Sequence, residues 1–431
     1  NDSYIKKGAF MNFMKRRIRT YVKDILDIVS IQSFTGDTEG IEKCQEYVAG
    51  LATSLGFEVT KHGEGQVLVI QPKVTCRVPE LGIVCHLDTV PFDKSEWKHN
   101  PLGEVSEGRI YGRGVLDDKA SIIVALNVFK ELESEIKTSW QLIVGSAEEA
   151  SPWSDMKAFL NENPVLPKFM VTIDGDGIQN GCRGYSDVEL KFHRHTGGDI
   201  FLEDLWVHNG VNNMVPNRAF AQIDGSSLEA NGKACHSSIP EEGDNALIKL
   251  VKRVAECEDV RKEYLEFFEF MEVFNEKNCA ETLGLAQGSS ITPTNCSLEN
   301  GVIRLNLNCR FGIGTEKQMI EEMLTGIAEK YKCGFSYSEI ILPSYVPEDS
   351  KEMQMMCDAY EQVMGKKVVP VIARGTGYNA ALPNCAIFGP RFIPEDDEPD
   401  TCHAANENRS IEDLEKFQKM LEIFVSKMLS D

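Results

Sequence analysis

Three short apolar runs, 81–85, 140–144 and 169–173, are the feature that most restricts how this chain can fold, because each leads into a residue able to bind a metal: His86, Glu149 and Asp174. Runs of this length, set between segments of helical period, read as buried strands. The intervening helix-like segments are 18–29, 41–55 and 120–132, and 67–70 adds a further strand. Strands alternating with helices predict a mainly parallel sheet covered on both faces. Ligands of such sheets lie beyond the carboxyl ends of the strands, so the three polar termini belong on one rim.

A chain of 431 residues exceeds the size at which a single core usually stops growing, so two domains are expected. The rhythm changes near Arg183. Segments 188–192, 220–223 and 302–311 read as strands, and 245–277 and 316–330 as helical, which is the pattern of an α+β unit. The α/β pattern returns with a helix at 351–364, a strand at 385–388 and a final helix at 411–428. The expected organisation is therefore a catalytic domain in two parts, 1–182 and 346–431, around an inserted α+β domain at 183–345. Residues 1–10 read as an appended segment ahead of a start at Met11.

The net charge of −22 argues against a nucleic-acid partner. No apolar run approaches the roughly 18 residues of a membrane span, and no signal-peptide pattern opens the chain. Neither a membrane association nor export is expected, and the location read from the sequence is cytoplasmic. The 13 cysteines are odd in number and lack paired spacing, which reads as reduced, mostly buried thiols.

His86 and Asp88 sit two apart at a strand end, so their side chains emerge on one side, and Asp88 can take the second N–H of a metal-bound imidazole. Asp117 and Asp118 follow a loop containing Gly112 and Gly114, and a carboxylate there can bridge two cations. Glu148 and Glu149 are adjacent and point in different directions. One can ligate while the other takes a proton from water. Asp174 and Asp176 lie in a Gly-rich turn, and His403 precedes the last helix. Taken singly, each also suits a structural role; together they describe a dinuclear hydrolase site.

His86-Leu87-Asp88-Thr89-Val90-Pro91, Gly112-Arg113-Gly114 through Asp117-Asp118-Lys119, Glu148-Glu149 and His403 through Glu407 resemble the motifs of the dinuclear zinc exopeptidases. That family includes aminoacylase, glutamate carboxypeptidase, succinyl-diaminopimelate desuccinylase and peptidase V. Glu149 through Met156, with its Trp153, and Pro399-Asp400-Thr401 before His403 are most similar to the peptidase V-like dipeptidase branch. The resemblance implies a metal-bridging Asp117, with His86 and Asp174 completing one site and Glu149 and His403 the other. It further implies Glu148 as general base, Asp88 as the orienting acid and a cis bond between Asp117 and Asp118. The inserted domain becomes a ferredoxin-like lid. There, His236 of Gly232-Lys233-Ala234-Cys235-His236 would stabilise the oxyanion, while Asn213 and Arg310 would hold substrate. The family's Gly-Gly-Thr-Tyr-Ala-Arg loop is altered to Gly375-Thr376-Gly377-Tyr378-Asn379-Ala380. Gly375, Thr376 and the preceding Arg374 are the substrate-binding candidates there. The short span from Asn213 to His236 implies a lid trimmed relative to peptidase V.

The activity this implies is a metal-dependent dipeptidase acting on short peptides through water activated between two divalent ions, zinc before manganese or cobalt. An N-acyl amino acid deacylase or desuccinylase on the same scaffold is the alternative, and a non-catalytic binding protein derived from such an enzyme is the rival of another class. A monomer, or a homodimer through the lid, is expected. His193 and His195, alternating on a strand, read as surface residues. His62, His99 and His208 have no partner motif, and Glu395 through Glu398 read as a solvated loop.

Overall fold

The computed structural model describes residues 21–73, 78–150, 152–195, 199–208, 211–276, 278–391 and 401–430. The chain forms two compact units, one of Asn1–Gly181, Tyr345–Ile372 and Gly377–Asp431, the other of Cys182–Ser344 with Ala373–Thr376. Residues 1–20, which include the start of the first expected helix, and the acidic stretch 395–398 lie outside the described residues.

In the first unit the three apolar runs form the strands Leu81–His86, Trp140–Gly145 and Phe169–Thr172. Leu81–His86 is at their centre and pairs in parallel with both of the others. Cys385–Phe388 adds a fourth parallel strand beside Phe169–Thr172. The parallel character stops there, because Val67–Gln71 pairs antiparallel with Trp140–Gly145 and Ile178–Cys182 antiparallel with Cys385–Phe388. The sheet is thus parallel at its centre, where both faces are covered, and antiparallel toward its edges. All six residues of Leu81–His86 are buried, as expected of a strand with helices on both faces.

Helix Lys119–Glu131 buries ten of its residues, so it reads as apolar on nearly every side. Its Phe129 ring stacks on Trp140 at 3.6 Å, and Phe57 meets the same indole edge-on. Local signals set the other helix ends. Asp37 accepts from Gly40 N, Ser350 from Met353 N and Ser410 from Asp413 N. Gly365 closes Lys351–Met364 in the left-handed conformation.

A small sheet escapes a reading based on apolar runs. Asn408–Ser410 pairs with Arg109–Tyr111, which pairs with Glu104–Ser106. It is too short and polar to show in hydrophobic periodicity, yet its register, Asn408 opposite Tyr111, brings Glu407 against Gly112.

The second unit is built, among the described residues, on a seven-stranded antiparallel sheet, in the order Ser226–Asn231, Arg218–Ile223, Leu202–Val207, Ser290–Glu299, Val302–Phe311, Gly184–His193, Gly334–Tyr337. Gly184–His193 alternates buried and partly exposed residues, the mark of a sheet covered on one face. The helical stretch expected at 245–277 is broken into Ala246–Val254, Glu258–Glu263 and Leu265–Met271. Tyr264, Phe267, Phe268, Phe270 and Met271 are all buried. A straight helix would spread these side chains over more than its core-facing stripe, and the break at Tyr264 lets the chain bury all of them.

Replacing Phe129 by Ala removes one face of the Trp140 stack and should destabilise the first unit by about 3–5 kcal/mol. A urea titration followed by Trp fluorescence measures this; an unchanged midpoint would show that the stack is not part of the stabilising core.

Candidate metal centre

The strand ends deliver the first ligands. His86, the last residue of its strand, is fully buried. Its Nε2 lies 2.8 Å from Asp117 Oδ1 and 3.5 Å from Asp174 Oδ2. On the other ring edge, Nδ1 is 2.9 Å from the Asp88 carbonyl and 3.3 Å from the Asp88 carboxylate. The backbone oxygen, rather than the carboxylate alone, therefore fixes this imidazole. The Asp88 carboxylate has further work. It accepts from Thr35 Oγ1 at 2.7 Å, from Glu148 N at 3.1 Å and from Glu149 N at 3.2 Å, so it also anchors the acidic turn.

Asp117 presents its second oxygen the other way. Oδ2 is 3.1 Å from His403 Nε2, which is also 3.0 Å from Glu149 Oε1. One carboxylate thus offers an oxygen to each of two imidazoles. The sets His86–Glu148–Asp174, His86–Asp117–Glu149 and Asp117–Cys402–His403 each have ligand atoms within 4.8 Å of one another. The Asp117–Asp118 bond is cis. Asp118 is buried and points away, accepting from the His86 amide. Asp176 lies outside the cluster, paired with Arg391.

The electrostatics of this cluster are unbalanced. Among the described residues, Asp117, Glu148, Glu149 and Asp174 converge on His86 and His403, with Arg391 a further cation that acts on Asp117 and Asp174. Burial, and then the neighbouring Asp174, push the Glu148 carboxyl well above its ordinary value. Burial and Asp117 raise Asp174, and burial raises Glu149. Burial works against charge on His86, but Asp117, Asp174 and Asp88 outweigh it and hold the imidazole well above its usual range. His403 is raised by Asp117, then by Cys402 and Glu149. Converging acids with too few cations among them are the donor set of divalent metal ions. Ligand atoms around a tetrahedral ion with bonds of about 2.0 Å lie about 3.3 Å apart, which the separations above match.

Three residues without an assigned role in the sequence hold this geometry. Glu407 is buried beneath the Gly112–Asp117 loop. Its Oε1 accepts from Gly114, Leu116 and Asp117 amides at 3.0, 2.8 and 3.2 Å, and its Oε2 from Arg113 Nη1 at 2.5 Å. Asp155 does the same for the other loop, accepting from Ser146 N at 2.7 Å, from Ala147 N at 3.1 Å and from the Tyr378 hydroxyl. Tyr378 reaches it only because position 145 is Gly; a Cβ there would sit 2.2 Å from the Tyr378 oxygen. Gly377 lies against the Glu148 carboxylate in the same way, a Cβ falling 3.0 Å from Oε1. Backbone-anchoring acids carry no distinctive sequence pattern; the nearest signal was their place inside motifs already noted.

The remaining candidates lie in the second unit. His236 Nδ1 accepts from Ser238 N at 3.2 Å and lies 2.6 Å from Ser238 Oγ, which leaves the ring proton on Nε2. Burial, then Arg310 and Arg183, lower its pKa, so the ring is held neutral. Asn213 is beside it, its carbonyl accepting from Ser237 N at 2.8 Å. Arg310 is buried, reaching Asn308 Oδ1 at 3.1 Å and Thr376 Oγ1 at 3.4 Å, with its guanidinium over Tyr185. Thr376 Oγ1 donates in turn to the Arg183 carbonyl. Arg374 turns instead toward Glu242 at 3.6 Å, and a Cβ at Gly375 would meet no described atom within 4 Å. His193 is exposed and His195 pairs with Glu266, as expected of surface residues.

Residues 82–427 match the family model of peptidase family M20/M25/M40. The chain belongs to this family. It is a hydrolase of the metallopeptidase class, as the ligand motifs imply. An M20 relative, the putative dipeptidase YtjP of Bacillus subtilis, is 25% identical over 78% of the chain and 80% of its own length. The Beta-Ala-Xaa dipeptidase of Lactobacillus delbrueckii subsp. lactis is 28% identical over 78% of each protein. Among solved structures, the aminoacylhistidine dipeptidase from Vibrio alginolyticus superposes with a TM-score of 0.63 at 15% identity, covering 94% of this chain and 96% of that one. Human carnosine dipeptidase 1 gives 0.60 at 15% identity, covering 97% of each. At that identity the superpositions establish the M20 fold. No helix among the described residues is long and apolar enough to cross a membrane.

Glu407→Ala would leave Arg113 buried without its carboxylate and three loop amides without an acceptor, and should cost about 3–5 kcal/mol. Glu407→Gln keeps an acceptor for the amides and should lose less. Chemical denaturation of both variants tests the ranking; equal losses would mean that the amide contacts contribute little.

Proposed function

We propose that this M20 protein is a dipeptidase that uses two divalent ions, zinc before manganese or cobalt. The observation that carries the reading is Asp117, which turns one carboxylate oxygen to His86 and the other to His403 with Glu148 alongside. In this reading His86 and Asp174 hold one ion, Glu149 and His403 the other, and Asp117 is shared. The dipeptidase names of the Bacillus and Lactobacillus relatives support a short peptide as substrate. When bound, the ions supply Lewis acidity and lower the pKa of water at the site.

The chain's own residues divide the remaining tasks. Glu148 accepts the proton of the attacking water and returns it to the leaving amine. Asp88 anchors its backbone amide, and Gly377 leaves room beside its carboxylate. Asp88 keeps the His86 ring oriented. His236, neutral with its proton on Nε2, is suited to donate to a developing oxyanion. Arg310 is a buried guanidinium whose side-chain partners here are the neutral Asn308 and Thr376, which suits it to a substrate carboxylate. Asn213 and the Arg374-Gly375-Thr376 segment complete the substrate-holding set, and the Cys182–Ser344 unit is the lid. A cytoplasmic setting belongs to the same proposal, supported by 13 cysteines without paired spacing.

Glu148→Gln should lower kcat by about 100- to 10,000-fold while two ions per chain remain bound. Full activity in that variant would remove Glu148 from the mechanism. Stripping metal with a chelator should abolish dipeptide hydrolysis, and zinc, manganese or cobalt should restore it. The same panel should include acetyl and succinyl amino acids: faster turnover of those than of any dipeptide would reassign the substrate class.

A further inference from the structure

Asn308 is a buried amide in the second unit to which no step above gives a task. The register of Val302–Phe311 against Gly184–His193 sets Asn308 opposite Asp187 and Arg310 opposite Tyr185. Residues two apart on a strand point to the same face, so these four side chains meet. Asn308 is fully buried. Its Oδ1 accepts from Arg310 Nε at 3.1 Å and from Ser237 Oγ at 2.9 Å, and its Nδ2 donates to Asp187 Oδ1 at 3.0 Å. Asp187 takes the Tyr185 hydroxyl on its other oxygen, and the Tyr185 ring lies against the Arg310 guanidinium at 4.6 Å. Both supports of Arg310, an amide and a ring, therefore lead back to Asp187.

The chemistry of this node calls for an amide. Arg310 Nε can only donate and an ionised carboxylate can only accept, so the group between them has to present one acceptor and one donor. An acid placed directly on Arg310 would form a charge-assisted pair and neutralise the guanidinium. We propose that Asn308 is a positioning residue that orients Arg310 through Asp187 while leaving its charge available to a substrate carboxylate. The proposal rests on the reading above in which Arg310 holds that carboxylate. Asn308 forms no bond to substrate; it acts on affinity through Arg310. Ser237 fixes the sense of the amide, because its hydroxyl donates to the same oxygen that Arg310 uses.

Steady-state kinetics of the metal-loaded full chain on one dipeptide test this. Arg310→Ala is the control and should raise KM. Asn308→Asp should raise KM about 10- to 100-fold with kcat changed less than about threefold, because an acid then neutralises Arg310 before substrate arrives. The new acid also faces Asp187, so the urea midpoint should fall. Combining Asn308→Asp with Asp187→Asn puts a donor opposite an acceptor again; the midpoint should recover while KM stays raised. A KM that returns to the wild-type value along with the midpoint makes Asn308 merely structural and overturns the proposal. An unchanged KM in folded Asn308→Asp does the same. If neither acid variant folds, Asn308→Ala decides: it should raise KM in the wild-type chain and add nothing in Arg310→Ala, and an equal further loss there overturns the proposal. Should only acetyl or succinyl amino acids turn over, the same comparison is run on them, since they carry the same carboxylate. Arg310→Ala with an unchanged KM, or a wild-type chain that turns over neither class, removes the reading of Arg310 itself, and the proposal falls with it.

Discussion

The centre of this protein depends on a carboxylate that is not among its proposed ligands. Glu407 gathers three consecutive-region amides and one guanidinium onto its two oxygens, which forces the Gly112–Asp117 loop into a single shape. Burying a charge is costly unless it is paired and hydrogen-bonded, and Glu407 is both. Burial still raises its pKa to about 7, with Arg113 opposing. A raised folded-state value means that the ionised form is the less comfortable one. The contribution of this group to stability is fully present below its unfolded pKa and fades as pH rises through about 7.

The same logic recurs across the rim. Asp155 holds the Ser146–Ala147 turn, and Asp88 holds the Glu148–Glu149 amides, so two further buried acids fix backbone rather than bind substrate. The result is a first ring of acids and imidazoles facing one another, supported from behind by a second ring that faces amides. Rigid support of this kind is what a site needs when its ligands repel one another in the absence of cations. It also explains the glycines at 145 and 377, each of which gives space to a functional side chain.

The sequence exposed the parts of this design that depend on burial. Leu81–His86, Trp140–Gly145, Phe169–Thr172 and Cys385–Phe388 are continuous apolar runs, and their strand ends pointed to His86, Glu149 and Asp174. Helix Lys351–Met364 had a cap and a left-handed Gly to mark both ends. What could not be read depends on pairing between distant segments. Asn408–Ser410 is three residues long and polar, and only its partner, Arg109–Tyr111, makes it a strand. The supporting acids Glu407 and Asp155 belong to the same class, since a carboxylate that accepts from amides looks in sequence like any surface acid.

The pairing of Asn408–Ser410 with Arg109–Tyr111 also sets a timetable for synthesis. His86, Asp117, Glu149 and Asp174 emerge from the ribosome early, and the strands that carry them can form soon afterwards. Glu407 and His403 come some 230 residues after Asp174. Until they arrive, the Gly112–Asp117 loop has no carboxylate to gather its amides, and Asp117 has only one imidazole to face. A stretch of chain that reaches only to Asp174 therefore carries most of the converging acids, but neither the second imidazole nor the carboxylate that shapes the Gly112–Asp117 loop.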